Sequence, residues 1–249
     1  IGAETAGNIT VNLQGNLELT NKGQFLATTS GSGNAGDTTV LAKNITISAN
    51  SSVRAESTST SVDAGDAGNI HLTAVDTILL DKASVTTEAA QASGGNIKLT
   101  ANDTIQLIDS TIESTVQGDV ATVAGNIELD PDFIILQNSH IQAKAVDGQG
   151  GNITLIANKG VLVDAQSTLE VTSERGVSGT VTIESPIQVL SGTIVPLPST
   201  PVNVATLYAA RCVAGEGGHF STFVDSKADS VAPTPGTFLA SPFFPQVSS

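Results

Sequence analysis

Apolar residues alternate with polar ones in short runs along residues 7–195, and the runs come in sets of three. The first run of each set follows a glycine: Gly7-Asn8-Ile9-Thr10-Val11, Gly36-Asp37-Thr38-Thr39-Val40, Gly68-Asn69-Ile70-His71-Leu72, Gly95-Asn96-Ile97-Lys98-Leu99, Gly125-Asn126-Ile127-Glu128-Leu129, Gly151-Asn152-Ile153-Thr154-Leu155 and Gly179-Thr180-Val181-Thr182-Ile183. These glycines are 29, 32, 27, 30, 26 and 28 residues apart, a nearly fixed period. The second run pairs Leu17 with Leu19, Ile45 with Ile47, Ile78 with Leu80, Ile105 with Leu107, Ile134 with Leu136, Val161 with Val163 and Ile187 with Val189. The third centres on Phe25, Val53, Val85, Ile112, Ile141, Leu169 and Ile194, often with a serine shortly before it, as in Ser110-Thr111-Ile112 and Ser139-His140-Ile141. A spacing of two, filled by Val, Ile and Thr, predicts strands with one buried face, and no helical period competes with it.

One such set of three strands cannot bury its apolar face alone. Stacking the sets gives every strand a neighbour and all of them a shared interior. The predicted fold is therefore an all-β, right-handed parallel β-helix, the hand being that of parallel connections in general. It has three strands per coil and about seven coils, and roughly 4.8 Å per coil makes the rod about 34 Å long. The interval from glycine to third strand is steady, whereas that from third strand to next glycine varies from 10 to 15 residues, so one corner carries loops that bulge outward. The corner between strands one and two holds Asn44, Asp76, Asp103, Asp132 and Asn158; that before strand three holds Asn21, Asn50, Asp81, Asp109, Asn138 and Asp164. Asn and Asp suit left-handed turn positions, and the repeating glycine is expected to supply a positive φ of its own. Stacked Asn side chains can also bond one another between coils.

Composition changes at Pro196. Seven of the nine prolines and five of the seven phenylalanines lie beyond residue 195. The chain thus reads as a rod, 1–195, followed by a Pro/Phe-rich cap or tail, 196–249, with a short helix expected over 204–212. A solenoid needs its open end covered, which favours a cap; the competing reading is a strap that docks a partner. The chain starts at Ile1 inside the repeat pattern, without a signal-peptide pattern, and reads as a piece of something longer.

Lys and Arg number 10 against 24 Asp and Glu, a formal charge of −14. That argues against nucleic acid, which needs a basic face. No apolar run is long enough to span a membrane as a helix. A single cysteine, Cys212, excludes an internal disulfide framework and a cysteine-based zinc cluster.

The run of Gly-Asn-Ile-x-Leu coils with Ser-x-Ile pieces between them resembles the filamentous haemagglutinin-like exoproteins of two-partner secretion. Ser185-Pro186, Leu190-Ser191-Gly192, Leu197-Pro198, Arg211-Cys212, Gly217-Gly218 and Phe220-Ser221-Thr222-Phe223 resemble the C-terminal part of such proteins, especially cyanobacterial ones. The resemblance spans essentially the whole chain. It implies export through an outer-membrane secretion transporter, a place on the cell surface or in the medium, and a filament used in adhesion or aggregation. It implies no catalytic residues. The partners expected are glycans or proteins on host or neighbouring cells, together with self-association.

Asp76 and Asp103 occupy equivalent corners of adjacent coils, so stacking sets them roughly 5 Å apart. With Asp132 they form an acidic column. The plain reading is turn formers at the surface; the functional one is a weak Ca²⁺ site, favoured slightly over paired-carboxylate glycoside hydrolysis. No basic cluster is expected beside the column. His71, His140 and His219 fall at unrelated positions and are read as solvated. Cys212 is read either as a small buried residue of the cap or as an intermolecular disulfide or anchor. Binding is assigned to flat Thr, Ser and Asn faces or to the variable loops 56–67 and 114–124. Three functions follow: an adhesive surface filament, an enzyme on extracellular polysaccharide, and a self-assembling filament subunit.

Overall fold

The computed structural model describes residues 5–190, which carry twenty strands and, among the described residues, no helix. The first coil is β1 (Ile9–Asn12), β2 (Leu17–Leu19) and β3 (Gln24–Leu26); the second is β4 (Thr38–Ala42), β5 (Ile45–Ser48) and β6 (Ser52–Arg54). The third is β7 (Ile70–Ala74), β8 (Thr77–Asp81) and β9 (Ser84–Thr86); the fourth is β10 (Ile97–Ala101), β11 (Thr104–Ile108) and β12 (Thr111–Glu113). The fifth is β13 (Ile127–Asp130), β14 (Phe133–Gln137) and β15 (His140–Gln142); the sixth is β16 (Ile153–Ile156), β17 (Gly160–Val163) and β18 (Thr168–Glu170). The seventh contributes β19 (Val181–Glu184) and β20 (Gln188–Leu190). Its expected third strand at Ile194, the segment 196–249, the helix over 204–212 and Cys212 lie outside the described residues.

Equivalent strands of successive coils pair in parallel and build three sheets of seven, seven and six strands, so the fold is a parallel β-helix. The register matches the periodicity in sequence. Ile9, Thr38, Ile70, Ile97, Ile127, Ile153 and Val181 stand in one column. Phe25, Val53, Val85, Ile112, Ile141 and Leu169 stand in another. Ile45, Ile47, Ile70, Leu72, Ile78, Leu80, Ile97, Leu99, Ile105, Leu107, Ile112 and Ile127 are fully buried along the axis. Each such side chain contributes about 1.5–3 kcal/mol through its removal from water.

One strand departs from the expected register. Val161, Leu162 and Val163 face Gln188, Val189 and Leu190, so the expected inward pair Ile187 and Val189 turns outward, 57% and 47% exposed. The preceding turn closes a residue early. Ser185 Oγ donates to the carbonyl of Ile187 at 2.9 Å and Gln188 Nε2 donates to that of Ile183 at 3.2 Å. A slip of one residue exchanges the two faces of a strand.

The glycine column also differs from expectation in its cause. None of its seven glycines has a left-handed φ. A Cβ on Gly36, Gly68, Gly95, Gly125, Gly151 or Gly179 would instead lie closer than 3.0 Å to the carbonyl of the column glycine one coil earlier. The corner needs glycine because backbone rests on backbone there. Left-handed φ gathers at the corner before the third sheet, on Asn21, Lys22, Ala49, Asn50, Lys82, Asp109 and Asn138. In the third coil it falls on Lys82 rather than on Asp81, which ends β8.

Two side-chain ladders fasten the corners. Beside the glycines, the carboxamide or carboxylate Oδ1 of one coil accepts the backbone N–H of the equivalent residue in the next, from Asn8 through Asp37, Asn69, Asn96, Asn126 and Asn152 to Thr180, at 2.8–2.9 Å on every rung. The second ladder explains the serine before the third strand and runs the other way. The N–H of Gly23 donates to Ser51 Oγ, that of Ala83 to Ser110 Oγ, that of Ser110 to Ser139 Oγ and that of Ser139 to Ser167 Oγ, at 3.0–3.1 Å.

The variable corner is more ordered than a set of bulging loops. Thr29, Ser57, Ala89, Val116, Ala145 and Ser173 are joined coil to coil by single parallel bridges, which adds a narrow fourth wall. Behind it Ala67, Ala89, Ala92, Val116, Ala124 and Ala145 form a second, small core. Only the loop tips are free, with Val62 95% and Val120 79% exposed.

Gly95→Ala is expected to cost about 1–3 kcal/mol through a backbone clash. Gly15→Ala, at a position with nothing within 4 Å, leaves the urea midpoint in place. Thr38 occupies a column otherwise made of Ile and Val, is 0% exposed, and its Oγ1 has no hydrogen-bond partner. Thr38→Val is expected to raise stability by about 1–3 kcal/mol, since a buried hydroxyl without a partner is lost at constant shape. Paired urea titrations measure both effects.

Candidate functional site

The corner after the first sheet brings Asp76, Asp103 and Asp132 onto one column, linked through the backbone: the N–H of Asp103 donates to the carbonyl of Asp76, and that of Phe133 to the carbonyl of Asp103. Asn44 and Asn158 do not share that rung. Asn44 Oδ1 accepts the N–H of Thr77, and the N–H of Asn158 donates to Pro131. A single lysine stands at each end of the column, rather than a basic cluster along it. Lys43 Nζ lies 3.8 Å from Asp76 and Lys159 Nζ 2.7 Å from Asp132. The Lys159 hydrogen bond holds the Asp132 carboxyl below its usual range, and Asp132 raises Lys159 in return. Lys159 also sits 5.7 Å above the Phe133 ring. Among the described residues no group of three or more His, Cys, Asp or Glu side chains converges as a metal site.

His71 is exposed on the first sheet, whereas His140 Nδ1 lies 2.8 Å from Thr168 Oγ1 on the third, so the two histidines do not meet. The outward column of the first sheet reads Thr10, Thr39, His71, Lys98, Glu128, Thr154 and Thr182, a mixed surface rather than a pure Thr ladder. On the second sheet Phe133, Leu162, Ile187 and Val189 give coils five to seven an exposed apolar patch.

The most concentrated chemistry lies where the third sheet meets the fourth wall. Glu56, Ser57, Thr58, Glu88, Ala89, Ala90 and Gln117 line a shallow cleft of about 150 Å³. Glu56 is only 5% exposed; its Oε1 accepts from Arg54 Nε at 2.7 Å and from Thr86 Oγ1 at 2.6 Å. Glu113 accepts from Thr115 Oγ1 at 2.7 Å. Glu88 sits among them without such a donor. Burial first, then the charges of Glu113 and Glu56, push its carboxyl above the usual range, with Arg54 opposing. A carboxyl whose pKa is raised keeps its proton more readily, and in the protonated form it can donate a hydrogen bond, including to sugar hydroxyls. Sequence reasoning missed this group. The signal was present: Glu56 and Glu88 each follow the third-strand valine by three residues, and Glu113 follows Ile112 by one.

No protein-family model, curated protein or solved structure matches the chain.

With its pKa raised on folding, Glu88 binds its proton more tightly in the folded state. Stability then falls as pH rises from the ordinary glutamate value of 4.5 through the raised one. Glu88→Gln is expected to raise the melting temperature at pH 7, with the gain vanishing below pH 4.5; melts across a pH series measure it.

Proposed function

We propose that this chain is a structural, adhesive segment of a secreted bacterial surface filament, exported by an outer-membrane partner transporter. The observation that supports it best is the continuity of the stack. Six Oδ1 rungs join all seven coils without a break, so the polar side chains beside the glycines serve to hold coil on coil. A stack built this way extends without changing its cross-section, which suits a spacer that carries contacts away from a cell. The loop tips at Val62 and Val120 and the apolar patch around Phe133 are the surfaces offered to glycans or proteins of other cells. The resemblance of the coil motif to haemagglutinin-like exoproteins points the same way. A second reading, an enzyme on extracellular polysaccharide, is favoured by the Glu88 cleft rather than by Asp76 and Asp103.

The immobilised chain is expected to retain cells and to bind a subset of glycans on an array. Replacing the tips 60–63 and 119–121 with glycine-serine should weaken this at least tenfold while the melting temperature holds. Release of reducing sugar from polysaccharide, abolished in Glu88→Gln, would replace the adhesive reading with the enzymatic one.

A further inference from the structure

The cleft at Glu56 and Glu88 has spent most of its hydrogen-bond donors. Of its lining residues, Ser57, Thr58, Ala89, Ala90 and Gln117 all give their N–H to carbonyls of neighbouring coils. Thr58 Oγ1 donates to the carbonyl of Thr29, and beside the cleft the hydroxyls of Thr86 and Thr115 donate to Glu56 and Glu113. Acceptors remain. Arg54 and Thr86 both reach Oε1 of Glu56; among the described residues nothing donates to its Oε2, although Glu56 is only 5% exposed. Ser57 lines the same cleft at 2% exposure, and its Oγ has no hydrogen-bond partner. Glu88 meets Glu113 carboxyl to carboxyl, and a hydrogen bond between two such groups requires one of them to carry a proton. The charges acting on Glu88 are Glu113, Glu56 and Arg54, so three carboxyl groups face a single guanidinium, itself engaged by Glu56 at 2.7 Å.

We propose that this cleft binds the primary ammonium group of an aliphatic amine, seated between Glu88 and Glu113 with Oε2 of Glu56 as a further acceptor. The site is additional to the surfaces of the adhesive rod and assigns the cleft a ligand other than polysaccharide. An ammonium brings three donors, no acceptor and one positive charge, which is what the cleft lacks. A sugar hydroxyl brings acceptors as well, for which the cleft keeps few donors. A metal ion needs more converging ligands than the described residues supply. The volume of about 150 Å³ equals that of about five waters, which suits a slim aminoalkyl chain, and Ala89 and Ala90 are the apolar part of the lining for its stem. On binding, the ammonium takes the place of the proton between Glu88 and Glu113, and that proton leaves to solvent. The amine itself stays charged throughout the range in which a glutamate titrates. Affinity therefore rises with pH until Glu88 is ionised in the free protein, and is level above that point. The aminoalkyl chain belongs either to a free polyamine or to a lysine side chain of another protein.

Titration calorimetry of the full chain with putrescine, with Nα-acetyl-lysine amide and with the neutral sugar methyl glucoside tests the site. Amine binding is expected at pH 7 and should weaken as pH falls to 4.5, with a proton released at the acid end, read from the dependence of the heat on the buffer. Glu88→Gln, expected above to stabilise the fold, should weaken binding at pH 7 about tenfold or more and remove its pH dependence. Glu18→Gln makes the same change of charge at an exposed position of β2 and should leave both as they are. If the two variants weaken binding alike, the amine is held by the overall charge of −14 and the proposal falls. If methyl glucoside binds and neither amine does, or nothing binds, it falls as well. Binding of putrescine alone marks a free polyamine as the source and binding of the lysine derivative marks a partner's lysine; either upholds the site. Cell and glycan binding are read separately, so a failed adhesion assay leaves this result unaffected.

Discussion

The structure depends on how closely one coil can lie on the next at a single corner. There the carbonyl of one column glycine fills the space where the following one would carry a side chain. Any larger residue would hold the coils apart locally while the three sheets on either side require the parallel-strand spacing. Close approach at that corner also brings each Oδ1 within reach of the next N–H. The Gly-Asn pair is thus one device: glycine admits the neighbour and asparagine binds it.

That device explains what the rest of the molecule is free to do. With axial contacts secured by backbone and ladder, the inward columns need only be apolar and of matching size, and the outward ones vary widely, from Thr39 to His71 to Lys98 to Glu128 along one line. Two charged groups stand at corners. The cleft at Glu56 and Glu88 and the lysine-bounded aspartates both occupy corners rather than sheet faces. The lysine–aspartate pairs, whose lysines are exposed, add little to stability, so their placement is better read as surface chemistry than as structural support.

The three sheets were legible in the sequence because a spacing of two, repeated seven times, leaves few other folds open. Corners were less so. A glycine required by close approach and one required by positive φ look identical in sequence, and only the neighbour's carbonyl at Gly95 tells them apart. The fourth wall is built from one residue per coil, such as Ala89 and Val116, with no alternation to reveal it. Lys43 and Lys159 meet the aspartates across corners of unequal composition, a match that requires the register. Ile187 and Val189 fit the inward pattern in sequence, and a turn one residue shorter, held by Ser185 and Gln188, sets them outward.

The exposed tips at Val62 and Val120 have a bearing on resistance to proteolysis. Proteases cut at exposed loop tips, and these are the most exposed of the large apolar side chains among the described residues. Yet the hydrogen bonds of this fold run between coils rather than along the chain. A strand severed at Val62 stays clamped by the coils above and below it. Cleavage there would leave two fragments that separate only on denaturation, and a stack nicked at several tips would keep its length.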